Sequence, residues 1–252
     1  MDIRDHNFVV TGAGRGLGLA ITQMLLAGGG RVMLADVDAD TLAHAQSVCA
    51  AADRTATCVC NVADETEVTE LFRATKAAFG SIHGAVCNAG ILRDALLVKT
   101  KAGDVVQRMS LQAWQAVIDV NLTGVFLTGR EAATHMVEQA QGGVIVNISS
   151  ISRAGNPGQS NYAAAKAGVA ALTTTWAGEL ARHGIRCNAV APGVIDTDMV
   201  ASMKPEARQR MMDATRVGRL GTVDELADAV RFLIENSFNN GRVLEFDGGM
   251  RL

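Results

Sequence analysis

Short apolar runs rich in β-branched residues alternate along the chain with longer segments of helical period. The runs predict strands at Phe8–Thr11, Arg31–Asp36, Thr55–Asn61, Gly84–Cys87, Gly143–Ile148, Arg186–Ala191 and Arg242–Phe246. Between them, the spacing predicts helices over Leu17–Ala27, Thr41–Ala52, Glu65–Phe79, Leu111–Glu138, Tyr162–His183 and Asp224–Glu235. Strand–helix alternation implies right-handed crossovers and a parallel sheet covered by helices on both faces. The strands read as near-continuous apolar runs, as in Gly-Val-Ile-Val-Asn-Ile at 143–148, which is the pattern of a sheet buried on both sides. No internal repeat, low-complexity tract or Pro-rich linker divides the chain. Residues 1–252 are therefore read as one α/β domain, a doubly wound (Rossmann-type) parallel sheet of about seven strands.

Composition narrows the function classes. A net charge of −3 offers no basic face to a phosphate backbone, so no nucleic-acid partner is expected. The apolar runs are too short to span a bilayer, and Met1–His6 lacks a signal-peptide core, which predicts a soluble cytoplasmic protein with no membrane partner. Five scattered cysteines and five dispersed histidines form neither a disulfide framework nor a metal-ligand spacing. Cys58 and Cys60 are expected on one face of a strand as reduced thiols.

In an open parallel sheet, ligands bind outside the carboxyl ends of the strands. The first strand is followed by Gly12-Ala13-Gly14-Arg15-Gly16-Leu17-Gly18, and a helix opens at once. Glycines allow the tight turn and let N–H groups approach a pyrophosphate at the helix N-terminus. Asp36 closes the second strand, 24 residues past Gly12, where a carboxylate would accept from the adenosine ribose hydroxyls. This constellation predicts a dinucleotide, and the acid predicts NAD(H), with Arg15 placed to partner either a phosphate or Asp36. Further strand ends would complete the cleft. Asn61-Val62 would flank the adenine, Asn88-Ala89-Gly90 would admit close cofactor approach, and Pro192-Gly193-Val194-Ile195-Asp196-Thr197 would offer backbone groups to a carboxamide. Gly28-Gly29-Gly30 is read as a helix stop.

The run Gly143–Ile148 ends in Ser149-Ser150, and a helix begins near Tyr162-Ala163-Ala164-Ala165-Lys166. The i, i+4 spacing sets the phenol and the ammonium on one helical face. A phenol titrates near 10, and a neighbouring cation would favour phenolate, giving an acid/base group for a carbonyl or alcohol. Ser149 is expected to donate to the substrate oxygen, and Asn121 to hold a water that feeds protons through Lys166. The phenol is expected to titrate well below its ordinary value, mainly through Lys166.

With these residues in place, the chain resembles the short-chain dehydrogenases/reductases from end to end. The resemblance rests on the glycine loop, Asn88-Ala89-Gly90, Asn121, Ser149, Tyr162, Lys166 and Pro192-Gly193. Gly155–Tyr162 and Phe246–Met250 are most similar to 3-oxoacyl-acyl-carrier-protein reductases. The resemblance implies hydride transfer between nicotinamide and a carbonyl held by Ser149 and Tyr162, with Tyr162 and Lys166 also on the cofactor and Lys166 on the nicotinamide ribose. It implies a homotetramer acting on a small molecule or an acyl thioester. The Ala-rich helix after Tyr162 would allow close packing in an interface or against the sheet.

Two departures stand out. Where carrier-docking reductases tend to be basic, this chain has Glu138-Gln139-Ala140-Gln141 and Arg182-His183, so a carrier protein is expected to add little. Leu96–Arg108 is longer than usual, and Leu97–Thr100 with Asp104–Val106 around Ala102-Gly103 predicts a small hairpin. Met199, Met203, Met211 and Met212 fit either an adaptable substrate wall or ordinary packing. Two rival functions remain. One is a dehydrogenase of a 3-hydroxyacyl thioester, small diol or other secondary alcohol. The other is a catalytically silent dinucleotide-binding regulator, which would need no phenol–ammonium pair.

Overall fold

The computed structural model describes residues 1–197, 200 and 203–250. Seven parallel strands form one sheet: β1 (Asn7–Thr11), β2 (Arg31–Asp36), β3 (Thr55–Val59), β4 (Gly84–Cys87), β7 (Gly143–Ile148), β8 (Ile185–Pro192) and β9 (Val243–Phe246). Their order is β3-β2-β1-β4-β7-β8-β9, so the chain reverses its winding direction between β1 and β4. The crevice at that switch point is where such a sheet receives a ligand.

Successive residues of each strand serve two cores. Phe8, Val10, Leu34, Val146 and Val190 face helix α1 (Gly16–Ala27) and the helix Val223–Glu235, whose Leu226, Val230 and Leu233 are fully buried. Val9, Met33, Ala85 and Ile145 face the opposite way, onto α3 (Glu65–Phe79), α5 (Gly124–Gln139) and α6 (Ser160–Leu180). Each fully buried aliphatic side chain contributes about 1.5–3 kcal/mol, which makes period-2 burial on both faces the main determinant of the sheet. The second helix, α2 (Ala39–Cys49), and α3 start at aspartate caps, Asp38 and Asp64.

The predicted strands and helices all form, with ends shifted by a few residues. One prediction fails in its interior. The continuous helix expected over Leu111–Glu138 breaks into α4 (Leu111–Ile118), a π-helical turn (Asp119–Thr123) and α5. The extra residue in that turn carries Asn121 into the interior, where it is fully buried. Gly124 follows it because a Cβ there would lie 2.7 Å from Val62 Cγ2.

The hairpin read from the sequence is present: β5 (Val98–Lys101) and β6 (Asp104–Arg108) pair antiparallel, with Ala102 and Gly103 at φ 51° and 90°. Both positive φ values suit the tight turn. Every hairpin residue is exposed. Met203, Met211 and Met212 lie on and beside the helix Pro205–Ala214 and are partly buried; Met199 lies outside the described residues. Among the described residues, no helix is long and apolar enough to cross a membrane.

Candidate active site

The glycine loop wraps from the end of β1 into α1. Gly12 and Gly16 adopt φ +63° and +54°, a region other residues enter with strain. A Cβ on Gly18 would lie 2.0 Å from the Gly12 carbonyl oxygen, so the helix can approach the loop this closely only with glycine there. Asn88, at the end of β4, fixes the loop from the other side. Its amide donates to the carbonyls of Thr11 and Gly12 at 3.0 Å each, and the Asn88 and Ala89 N–H groups donate to the Thr11 hydroxyl. Asn88 is thus a brace for the loop.

The arrangement fits a dinucleotide. Unlike α2 and α3, α1 has no side-chain cap and no acid in its first turn, so its N–H groups and positive dipole end face the cleft uncompensated. Space beside Gly16 is open where a Cβ would stand. Asp36 Oδ2 accepts from the Gly14 N–H at 3.1 Å, which fixes the half-buried carboxylate at the loop's edge. Gly12, Arg15, Gly16, Leu17, Gly18 and Asp36 therefore lie together at one strand end, with Arg15 exposed.

Asn61 and Val62 follow β3. Asn61 is exposed and its side chain accepts from the Ala63 N–H at 3.1 Å, whereas Val62 is buried against Gly124. On the far side of the cleft, Gly193 follows Pro192 and donates to Phe246; a Cβ on it would lie 2.9 Å from the Asp247 Cα. Ile195 forms a parallel bridge with Gly221, made by Asp196 N–H to Gly221 and Gly221 N–H to Val194. The N–H and C=O of Ile195 itself point the other way, available to a carboxamide. Thr197 is half-buried just beyond.

Tyr162 lies in the first turn of α6 and Lys166 one turn on. The ammonium sits 5.5 Å from the centre of the phenol ring and donates to the Ile148 carbonyl at 2.7 Å. Lys166 is only 3% exposed, and burial pulls its pKa down to about 8. The phenol behaves differently from the sequence expectation. Burial holds it above its ordinary value; the Ser150 hydroxyl opposes this, and the negative charge of Asp94, the smallest of the three effects, adds to it. Desolvation is the dominant influence here.

The two serines face different ways, and the Ser149 hydroxyl is already engaged within the fold. Ser149 is 1% exposed, and its hydroxyl donates to the Lys166 carbonyl beneath α6 at 2.9 Å. The Ser150 hydroxyl lies near enough to the phenol to favour its ionised form, and its oxygen accepts from the Ser152 N–H at 3.1 Å. Asn147 also faces α6, through Thr173, so strand alternation puts residues 147 and 149 on the helix side. A signal was present in the adjacent Ser149-Ser150 pair and that alternation, but spacing to Tyr162 does not discriminate positions one apart.

Asn121 also differs. Its amide is engaged at both ends by Ile91, accepting from the N–H at 2.8 Å and donating to the C=O at 3.0 Å. The side chain straps the segment after β4. Two residues not singled out from the sequence extend this strap. Asn161 donates to the carbonyls of Arg93 and Ala113, and Gln159 donates to Asp94 Oδ2 at 2.9 Å.

Comparison with known proteins places this geometry in context. Residues 12–251 match a family model described as enoyl-(acyl carrier protein) reductase. The chain is 39% identical over 249 residues to the 3-oxoacyl-[acyl-carrier-protein] reductase FabG of Thermotoga maritima, covering 96% of each chain. It is 40% identical over 248 residues to a 3-oxoacyl-[acyl-carrier-protein] reductase of Synechocystis, covering 96% and 95%. A cis-4-hydroxycyclohexanecarboxylate dehydrogenase of Sinomonas cyclohexanicum is also 40% identical, over 244 residues covering 96% and 94%.

Proposed function

Because the chain belongs to the short-chain dehydrogenase/reductase family, and is thereby an oxidoreductase of CH–OH and C=O groups, we propose that it uses NAD(H) to reduce a 3-oxoacyl thioester. The observation that carries the reading is the Tyr162 phenol with the Lys166 ammonium 5.5 Å from its ring centre, tied to the end of β7 through the Ile148 carbonyl, at the same edge of the sheet as the glycine loop. When bound, the nicotinamide supplies the hydride. Gly12 to Gly18 and Asp36 hold the adenosine and pyrophosphate end, and the Ile195 backbone orients the carboxamide end.

The proton chemistry follows from the residues. Ser150 donates to the substrate oxygen while its own oxygen is fixed by Ser152. Tyr162, kept protonated by burial, is ready to donate as an alkoxide develops. Lys166 supplies positive charge beneath the phenol, and that charge steadies the phenolate left after transfer. Asn121 is a positioning residue that fixes the Ile91 segment across from the phenol.

Residues Glu138, Gln139, Ala140 and Gln141 support a thioester without strong carrier docking, since an acidic carrier finds no cluster of cations there. Exposed Leu111 and Phe126 on α4 and α5, with Phe232 on the helix Val223–Glu235 and Phe238 in the turn after it, support assembly as a homotetramer. The dehydrogenase relative keeps a second reading open, oxidation of a secondary alcohol by the same residues. NADH oxidation with 3-oxoacyl thioesters, simple ketones and a carrier-linked substrate tests the proposal. Turnover of thioesters supports it. Activity confined to alcohols with NAD supports the second reading, and a large salt-sensitive advantage of the carrier form overturns the docking argument.

A further inference from the structure

The segment between β4 and the hairpin is held more rigidly than a loop requires. Ile91 is clamped by Asn121, the Arg93 carbonyl accepts from Asn161 at 3.0 Å, and the Ala95 N–H donates to Gly158 at 2.9 Å. Between these anchors, Asp94 is presented to the Gln159 amide at 2.9 Å. Gln159 is itself fixed, because its carbonyl oxygen accepts from Ser152 Oγ and Asn156 at 3.0 and 2.9 Å. Among the described residues, no cation forms an ion pair with Asp94; the adjacent Arg93 turns to the Leu92 carbonyl. An exposed carboxylate, held by Gln159 and in no ion pair among the described residues, thus stands at the end of a chain of bonds that begins at Ser150.

Resting on the reading of the site as a carbonyl reductase, we infer that Asp94 filters substrates by charge: it admits neutral carbonyl compounds such as thioesters and esters and opposes free 3-oxo acids. The physical ground is that a carboxylate one or two carbons from the reacting carbonyl enters the field of Asp94, which is in no ion pair among the described residues, while the Lys166 ammonium is bound to the Ile148 carbonyl beneath the phenol. The groups facing the phenol are Lys166 on its own helix, Ser150 at the end of β7 and Asp94 on the strap. Lys166 hydrogen-bonds the Ile148 carbonyl from below, which leaves Asp94 as the charged group on the strap side. At about 7 Å and an effective dielectric near 40, like charges cost roughly one order of magnitude in affinity. Gln159 contributes as a positioning residue for the carboxylate.

The test compares ethyl acetoacetate with acetoacetate in the intact protein and in Asp94→Asn, which keeps an acceptor for Gln159. The inference expects the ester-to-acid ratio of kcat/KM to fall about tenfold in the variant, with the wild-type ratio shrinking at high salt. An unchanged ratio in a variant that still reduces the ester overturns the filter. A second readout does not depend on turnover. Tyr162 is the only tyrosine, so ultraviolet titration reports its phenol alone. Its pKa should fall in Asp94→Asn; an unmoved value means that the Asp94 field does not reach the site, and overturns the filter even if no carbonyl substrate is found. Failure of every neutral carbonyl in the wild type, with the titration shifted as expected, would instead count against the reductase reading.

Discussion

Ser149 Oγ donates to the main-chain carbonyl of Lys166 at 2.9 Å, tying the end of β7 to the helix turn that carries the ammonium. The bond gives Ser149 a structural task, and in the proposed mechanism the substrate oxygen falls to Ser150. Ser150→Ala should therefore lower kcat by roughly 10²-fold or more with little change in melting temperature, as expected for a lost donor to a developing oxyanion. Ser149→Ala should cost about 0.5–1.5 kcal/mol of stability and leave a larger share of turnover. Paired thermal melts and steady-state kinetics decide it; the reverse pattern would return the substrate oxygen to Ser149.

The phenol offers a second test, with its sign set by burial. In the cofactor-free protein, Tyr162 should ionise above the ordinary 10, since desolvation outweighs the other influences. Oxidised cofactor should lower it by bringing positive charge near. Linkage follows: as pH rises through 10 the unfolded tyrosine ionises before the folded one, so this group's contribution to stability falls with pH there. Lys166 works oppositely, because its pKa is pulled to about 8 and its buried charge is relieved between about 8 and 10.5. Ultraviolet difference titration with and without NAD would read the phenol directly. A free-protein value below 10 would show that the ammonium dominates after all.

The parts legible from sequence were those fixed by local pattern. Near-continuous apolar runs located the strands, and glycines at 12, 16 and 18 located the loop. The Ala102-Gly103 turn located the hairpin, because only a tight turn brings those short runs together. What could not be read depends on three-dimensional direction. Ser149 and Ser150 differ by one position and so face opposite ways, a choice made by which strand face α6 covers. The π turn at Asn121 has no hydrophobic signature, since inserting one residue only rotates the seam. Asp94 gains its importance through Gln159, 65 residues away in sequence.

Cofactor choice turns on Asp36. Its carboxylate is anchored by the Gly14 N–H and would meet a 2′-phosphate with like charge. Each unit of such charge costs about 4 kcal/mol at roughly 4 Å and an effective dielectric near 20, before screening. NADH should therefore be preferred over NADPH by a wide margin, and Asp36→Ser should raise the NADPH-to-NADH efficiency ratio at least about tenfold. Comparable efficiencies in the wild type would mean that Arg15 neutralises the acid.

Gly18 tests the cofactor loop without touching charge. A Cβ would lie 2.0 Å from the Gly12 carbonyl oxygen and 2.7 Å from the Asn88 amide nitrogen. Neither the loop backbone nor the braced amide can yield without displacing the N–H groups aimed at the cleft. Gly18→Ala should weaken NADH binding by an order of magnitude or more, measured by fluorescence titration, while circular dichroism keeps its helical shape. Unchanged binding would show that the pyrophosphate does not use this loop.

Asn121 allows a strap to be distinguished from a proton relay through pH. Its side chain both accepts from and donates to the Ile91 backbone, and it has no exposed surface. In Asn121→Asp, a protonated carboxyl can reproduce both bonds, one oxygen accepting and the hydroxyl donating. Once ionised, the group loses its donor, faces the Ile91 carbonyl with a negative charge and is buried without a cation. Its folded pKa should accordingly be raised above the ordinary 3.9. Between that value and the raised pKa the folded state binds more protons than the unfolded one, so stability falls as pH rises. The variant should therefore melt close to the wild type at low pH and lose about 1–3 kcal/mol or more by neutrality. Asn121→Leu should be destabilised at every pH, since it restores neither bond. Thermal melts of the three proteins across pH give the answer. A pH-independent deficit in Asn121→Asp, with loss of turnover alone, would mean that the amide serves proton transfer and not the strap.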